Sequence, residues 1–241
     1  MYQHFILTYS NFNYGKRIAL HKVYESVNGI TEFMNLTKNI KEKFNNIDFG
    51  FHHIQTREIT WQSVKDYDMF FSDIEEINDE LVFEDLVLDD TTINPIDVAK
   101  LILSKRECTP LEIQKLLYFC ACRYFEVYKK HLFKDDFEAW DYGPVIAPLY
   151  EEFRNYGRNK IKMNIKSDTK ICIYSKMSKF DNYEEISKIV DETLEKYSNH
   201  TAGKLVKESH IENGPWDVVY RDGIGRGHII SKNIIEEYLK Y

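Results

Sequence analysis

The 241-residue sequence has few cysteines, the residues that form disulfides in secreted proteins and bind metal ions in many others. Its four cysteines are Cys108, Cys120, Cys122 and Cys172, and no two of them form a CxxC pair. Cys120 and Cys122 lie two positions apart on a predicted helix, where their side chains point to nearly opposite sides and cannot jointly bind a metal. We therefore predict reduced cysteines packed in the core of a cytoplasmic protein.

Long hydrophobic runs and catalytic motifs are also missing. No apolar stretch approaches the ~18 residues that a membrane span requires, and the first 17 residues lack the basic start and small-residue cleavage site of a secretion signal. The sequence contains no HExxH, GxSxG, P-loop or dinucleotide-binding glycine motif. These absences predict a protein that is not an enzyme, needs no cofactor or metal and has no membrane partner.

What the sequence does contain is aromatic side chains and an uneven distribution of acidic charge. Hydrophobic residues make up 43% of the chain and aromatic residues 15%, which indicates a folded protein. Residues 1–93 hold 8 Lys+Arg and 16 Asp+Glu, a net charge of −8, and the window 66–90 holds eleven acidic residues without any Lys or Arg. This balance argues against a nucleic-acid partner and favours a basic protein partner. A solvated acidic face, or an imitation of nucleic-acid phosphate, is the alternative.

The first 93 residues predict a small α/β domain of unknown role. Residues 4–10 and 17–25 are β-prone runs that flank a hairpin loop, and residues 49–55 form a third candidate strand. Between them, Asn28 is placed to cap a helix. The apolar face of that helix is predicted to contain Ile30, Phe33, Met34, Thr37, Ile40 and Phe44.

The acidic window and the segment that follows it predict a domain boundary. Ile74, Ile77 and Leu81 suit a short helix, whereas residues 81–88 alternate enough to form a strand, and the pattern does not decide between the two. We place the boundary at residues 91–94 and the second domain at residues 94–241.

The second domain is predicted to be mostly helical. Asn94-Pro95 with Asp97, and Thr109-Pro110 with Glu112, are helix-start signatures. The second of these helices has its apolar face at Ile113, Leu116, Leu117, Cys120, Tyr124 and Val127. Further helices are predicted from Tyr183 to Tyr197, after Thr201 and after Ser231.

One β-hairpin is predicted within this helical domain. Residues 161–165 and 171–173 alternate apolar and polar side chains, and Ser167, Asp168 and Thr169 lie between them as a turn. The sequence therefore indicates an α+β protein, with a small α/β domain followed by a mostly α-helical domain that carries one hairpin.

An aromatic segment at residues 137–157 is the most informative part of the chain. Trp140 and Tyr142 precede Gly143-Pro144, where glycine permits a sharp turn and proline suits only the first turn of a following helix. That helix is predicted over residues 144–156, with Val145, Leu149, Tyr150 and Phe153 at helical spacing and Gly157 as its stop. The aromatic rings suit either internal packing or an interface anchor.

Three segments, taken in order, resemble the Panacea (SocA/GepA-like) antitoxin domain family over about residues 94–241. Residues 109–125 are similar to the first long helix of the family, and residues 137–157 are similar to its aromatic–YGP–helix segment. Residues 194–216 resemble a tyrosine helix followed by a histidine and a Pro-Trp pair. The resemblance implies a toxin–antitoxin system of a bacterium or phage, in which this protein neutralises a cognate protein toxin by direct contact. It also leaves room for delivery of the toxin to a host protease.

The candidate partner-binding residues follow from these segments. They are Trp140, Tyr142, Gly143, Pro144, Tyr150, Phe153, His210 and Trp216. His210 and Trp216 have a structural alternative, in which the histidine interacts with a helix C-terminus and the tryptophan packs on the first long helix.

Two other functional hypotheses remain open from the sequence. One is a phage-encoded inhibitor of a host nuclease, with the acidic window standing in for DNA. The other is a hydrolase that uses His210 with Glu212. The glycine-rich segment 221–229 suits a turn, or a phosphate cradle if it opened a helix.

Overall fold

The computed structural model describes residues 1–26, 28–163 and 170–239, and the chain divides into two compact units, Met1–Thr92 and Ile93–Tyr241. The first unit combines a sheet with helices, and the second is mostly helical, so the predicted α+β class is confirmed.

The first unit is a four-stranded sheet in the order β3-β1-β2-β4. Its strands are β1 (Tyr2–Asn11), β2 (Lys16–Tyr24), β3 (Gly50–Thr56) and β4 (Glu75–Ile77). Its helices are α1 (Gly29–Lys43), α2 (Trp61–Tyr67) and α3 (Glu80–Thr91), with a 3₁₀ turn at Met69–Phe71. Because β-strand side chains alternate between faces, Phe5 and Leu7 of β1 pack with α1 and α3, whereas Ile6 packs with α2 on the other face.

The structure decides the secondary structure of the acidic window, which the sequence pattern left open. Residues 75–77 form a strand paired in parallel with β2, not a helix, and residues 80–91 form a helix, not a strand. The reason lies at Asp79, whose side chain accepts hydrogen bonds from the backbone N–H groups of Leu81 and Val82. Asn28 differs from its prediction, because its side chain makes no capping hydrogen bond.

The second unit is built around one long central helix. Its helices are α4 (Pro95–Lys105), α5 (Pro110–Tyr128), α6 (Ala147–Phe153), α7 (Lys170–Met177), α8 (Tyr183–Lys196), α9 (Ala202–Ser209), α10 (Pro215–Tyr220) and α11 (Lys232–Tyr238), with 3₁₀ turns at Arg154–Tyr156 and Arg221–Gly223. Its strands are β5 (Phe137–Trp140), β6 (Gly143–Val145) and β7 (Ile229–Ile230), in the sheet order β6-β5-β7. Helix α5 packs against α4, α6, α8, α9 and β6, so it forms the core of the unit.

Both predicted helix starts in this unit are confirmed as capping boxes. The Asn94 side chain accepts from the N–H of Asp97, and the Asp97 carboxylate accepts from the N–H of Asn94. Thr109 and Glu112 make the same reciprocal pair at the start of α5. Each box binds two N–H groups that a helix start otherwise leaves without a partner.

The predicted hairpin at residues 161–173 is wrong, because residues 170–177 form a helix and residues 161–163 form no strand. Ile173 and Met177 are buried one helical turn apart, whereas Ile171 is 78% exposed. The hairpin of this unit is β5–β6 instead. Ser167, Asp168, Thr169 and Ile165 lie outside the described residues.

The helix predicted to start at Pro144 begins later. Gly143 to Val145 form β6, and the helix starts at Ala147, with Pro148 in its first turn.

Among the described residues, no helix has the length and apolar character needed to span a membrane.

The four cysteines form no disulfide bonds. Cys108, Cys120 and Cys122 are buried, and Cys172 on α7 is half-buried. Burial raises the pKa of Cys108 to about 11 and the pKa values of Cys120 and Cys122 to about 12.

Candidate protein-interaction site

The aromatic segment forms a tight antiparallel hairpin with an exposed tyrosine at its tip. Trp140 of β5 pairs with Gly143 of β6, so the turn consists of Asp141 and Tyr142. The Tyr142 side chain is 67% exposed. Gly143 has a φ of +97°, a left-handed conformation that side chains other than hydrogen disfavour.

A fully buried lysine lies directly beneath this hairpin. Lys115 of α5 has no exposed surface, and its ammonium group donates a hydrogen bond to the carbonyl oxygen of Pro144. A Cβ atom on Gly143 would lie 2.9 Å from Lys115 Nζ and 2.5 Å from Ser209 Oγ, so only glycine fits there. Burial holds the pKa of the Lys115 ammonium group well below its usual value.

The residue before Lys115 holds the chain that leaves the hairpin. The Gln114 side chain accepts from the backbone N–H of Ile146 at 2.9 Å and donates to its carbonyl oxygen at 3.2 Å. We did not predict either residue as part of the site. The sequence does contain a sign that they are important. Helix α5 is apolar on nearly all sides after Ile113, and a polar pair within such a helix must be buried and hydrogen-bonded.

Trp216 and His210 support the hairpin from the other side. The indole Nε1 of Trp216 donates to the carbonyl oxygen of Trp140 at 2.9 Å. The Trp216 ring stacks on His210 at 3.6 Å between ring centroids and on Tyr220 at 4.4 Å. Burial, with the Lys115 charge as a second cause, lowers the pKa of His210, so its imidazole is neutral near pH 7.

The glycine-rich segment 221–229 lies beside β5 and binds the same hairpin. Tyr220 donates to one carboxylate oxygen of Asp141 at 2.9 Å, and Arg226 lies 3.1 Å from the other. The backbone N–H of Gly227 donates to Ala139, and the N–H of Ala139 donates to His228. The segment leads into β7 and opens no helix, which removes the geometric basis for a phosphate cradle.

Asp141, Tyr142 and residues 221–229 together form a surface that we call the hairpin–loop platform. Besides Tyr142, it exposes Ile224, at 83%, and Ile229. Three large apolar or aromatic side chains are thus exposed to solvent, and the hairpin backbone next to them is held by hydrogen bonds.

The other predicted site residues lie mainly in the scaffold of this platform. Trp140 is half-buried, and its ring contacts Tyr150 at 5.0 Å. Phe153 and Trp216 are buried in the core of the unit, and Gly143 and Pro144 are buried in β6. Of the predicted set, the structure exposes Tyr142 most fully, and partner contact stays a prediction for all eight residues.

His210 does not have the surroundings of a catalytic base. Its Nε2 atom is buried and has no hydrogen-bond partner among the described residues, while Glu212 is exposed. Within the same described residues, no three His, Cys, Asp or Glu side chains are arranged to bind a metal ion.

Comparisons with known proteins match the segment that builds this hairpin. Residues 113–217 match the family model described as "Antitoxin SocA-like, Panacea domain". Antitoxin SocA of Caulobacter vibrioides (strain NA1000 / CB15N) is 28% identical over 169 residues, which cover 65% of this chain and 87% of SocA. No solved structure gives a significant match. The resemblance predicted from the sequence is therefore confirmed, and the matching family model covers residues 113–217, less than half of the chain.

Proposed function

We propose that this protein is an antitoxin that neutralises a cognate toxin by binding it directly, without catalysis, and that the hairpin–loop platform is the contact surface. The antitoxin role is supported by the family match and by the similarity to SocA. The observation that carries the choice of surface is Tyr142, an exposed ring on a two-residue turn held by hydrogen bonds from three directions.

The platform has the physical properties of an interface anchor. Tyrosine supplies a large contact area and one directed hydrogen bond, and it is enriched among residues that dominate binding energy. The backbone beneath Tyr142 is already ordered by Lys115, Trp216 and Tyr220. Binding therefore loses little conformational entropy at this position, and more of the contact energy remains as affinity.

The polar groups of the platform suit the rim of such an interface. Asp141 and Arg226 form an ion pair beside Tyr142, and both stay partly exposed. An exposed pair of this kind contributes little to stability, but it can orient a partner of complementary charge. Delivery of the bound toxin to a host protease is a separate possibility that remains a prediction.

The nuclease-inhibitor alternative is less favoured by the structure of the acidic window. A mimic of nucleic acid needs a row of free carboxylates, yet several of these carboxylates bind groups within the first unit. Arg17 pairs with Asp73, Lys16 with Glu75 and Lys43 with Glu84. Asp90 is buried and accepts hydrogen bonds from Tyr9 and from the N–H of Asn13.

The direct test is a growth-rescue assay with the gene product encoded next to this protein. We expect that product to stop growth when it is expressed alone and to be harmless when this protein is co-expressed. Tyr142→Ala should abolish rescue and weaken binding of the purified partner by roughly 30-fold, about 2 kcal/mol, in calorimetric titration.

The matched control is Tyr67→Ala, because Tyr67 on α2 is 68% exposed, nearly the same as Tyr142. This variant should rescue growth like the unmodified protein. Full rescue by Tyr142→Ala, or loss of rescue by Tyr67→Ala, would move the contact surface away from the platform.

A further inference from the structure

The two edges of the sheet in the first unit are built differently. Strand β4 is three residues long and contains Glu75 and Glu76, so it is a short and charged edge. Strand β3 is seven residues long and contains no charged residue and no proline. Its register against β1 runs without a bulge from Gly50 to Thr56. Within the described residues, β3 pairs with β1 alone.

Much of strand β3 is exposed, although Ile54 and Thr56 are buried. Phe51 is 47% exposed, although its ring contacts Phe33 on the inner side. Gly50, His53 and Gln55 are exposed as well. Phe51, His53 and Gln55 share the face of the sheet that carries α1, because they pair with Leu7, Phe5 and Gln3 of β1.

An edge strand of this kind is a template for pairing with another strand. Proteins protect sheet edges by making them short, charged, bulged or interrupted by proline. The first unit uses two of these devices at β4 and none of them at β3. We propose that β3 pairs with β3 of a second copy of this chain, in antiparallel orientation about His53.

The composition of β3 favours a second copy as the occupant. When a strand pairs with the same strand of a second copy, any charged side chain lies near a like charge, which destabilises the pair. Strand β3 has no charged residue, so this repulsion is absent. The acidic residues of α3 and β4 lie toward the opposite edge of the sheet, where they do not face the second copy. Phe51 would face Gln55 of the second copy and be covered by it.

The product is a two-fold symmetric dimer in which two four-stranded sheets become one continuous sheet. Two-fold dimers of this type are the commonest closed assemblies, because one surface patch serves both subunits. This inference rests on the first unit alone and does not depend on the proposed antitoxin function.

The test is the mass of the purified full-length protein in sedimentation equilibrium over a wide concentration range. We expect a reversible dimer with twice the 28.8 kDa chain mass. In Phe51→Lys/Gln55→Lys, each new lysine faces a lysine of the second copy, so this variant should be monomeric. Gln62→Lys, an exposed position on α2, is the control and should remain dimeric.

Hydrogen exchange on the unmodified protein provides a second readout, which does not depend on whether the double variant folds. Amides of residues 50–56 should exchange more slowly at high than at low protein concentration. A monomer at every concentration, or a dimer that the two lysines leave intact, would overturn the proposal. Protection of β3 that appears only with the toxin present would do so too, because it would assign the edge to a strand of the toxin.

Discussion

At the residue scale, Gly143 occupies a position that only glycine fits. It pairs with Trp140 across the two-residue turn of the hairpin. The reason for glycine is non-local, because Lys115 and Ser209 occupy the space that a side chain would need. Neither residue is close to Gly143 in the sequence, so the motif alone did not reveal this packing. The sequence also predicted that Pro144 lies in a helix, whereas the helix begins at Ala147.

We predict that Gly143→Ala destabilises the second unit far more than Gly157→Ala. Both glycines have positive φ values, but a Cβ atom on Gly157 meets nothing within 4 Å. Gly157→Ala should therefore cost only the backbone strain, about 1 kcal/mol. Gly143→Ala should cost roughly 1–3 kcal/mol more because of the overlap with Lys115 and Ser209. Urea denaturation of the two variants measures the difference, and equal costs would contradict the steric account.

Two buried histidines, His4 and His21, lie in contact in the first unit. His4 Nδ1 lies 2.8 Å from His21 Nε2, and His21 Nδ1 lies 2.5 Å from Glu76. Burial is the main cause that lowers the pKa of both histidines. The residues are 17 positions apart, on strands whose register brings them together, and sequence spacing alone gives no sign of the pair.

We expect the first unit to lose stability below about pH 6.5. The unfolded chain, with ordinary histidine pKa values near 6.5, takes up protons before the folded chain does, so stability is full above that pH and declines below it. Pulse proteolysis in urea at about pH 7.5 and 5.5, with the cleavage sites mapped to residues 1–92, reports unfolding of this unit. His4→Gln/His21→Gln should flatten the dependence. Equal or greater stability at the lower pH would show that the pair does not control it.

At the element scale, the correct predictions are those decided within a few residues of the chain. The capping boxes of α4 and α5 are local patterns, and both form as the sequence indicates. The strand predicted at residues 171–173 was wrong because two isoleucines separated by one residue occur in helices as well as in strands. Burial of Ile173 and Met177 against the rest of the core decided for the helix.

We predict that Asn94→Ala costs about 1 kcal/mol of unfolding free energy, because it removes the acceptor for the N–H of Asp97. Asn28→Ala is the matched control, since the Asn28 side chain makes no capping hydrogen bond. That variant should change stability by less than about 0.5 kcal/mol. Thermal melts followed by circular dichroism compare the two. A cost for Asn28→Ala as large as that for Asn94→Ala would show that the capping bond is not the source.

At the scale of the whole molecule, the division at residues 92 and 93 predicts two folding units. Each has its own buried core and its own sheet, which are the features of a part that folds alone. We expect scanning calorimetry of the full chain to resolve two transitions. Gly143→Ala should lower one of them, and His4→Gln/His21→Gln should affect the other. A single transition shifted by both changes would indicate one cooperative unit.

The platform was only partly predictable at this scale. The aromatic tip came from a contiguous stretch, and its residues pointed to an interface. The 221–229 segment joins it through Asp141, about 80 residues earlier in the chain. From sequence spacing we predicted that this segment is a turn, and only the folded chain brings Arg226 next to Asp141.

The arrangement of the four thiols has a practical consequence for following the protein in solution. Three of them are enclosed and difficult to ionise, so an alkylating dye at neutral pH should attach to Cys172 first. A fluorophore attached to Cys172 on α7 can therefore report partner binding without any engineered cysteine.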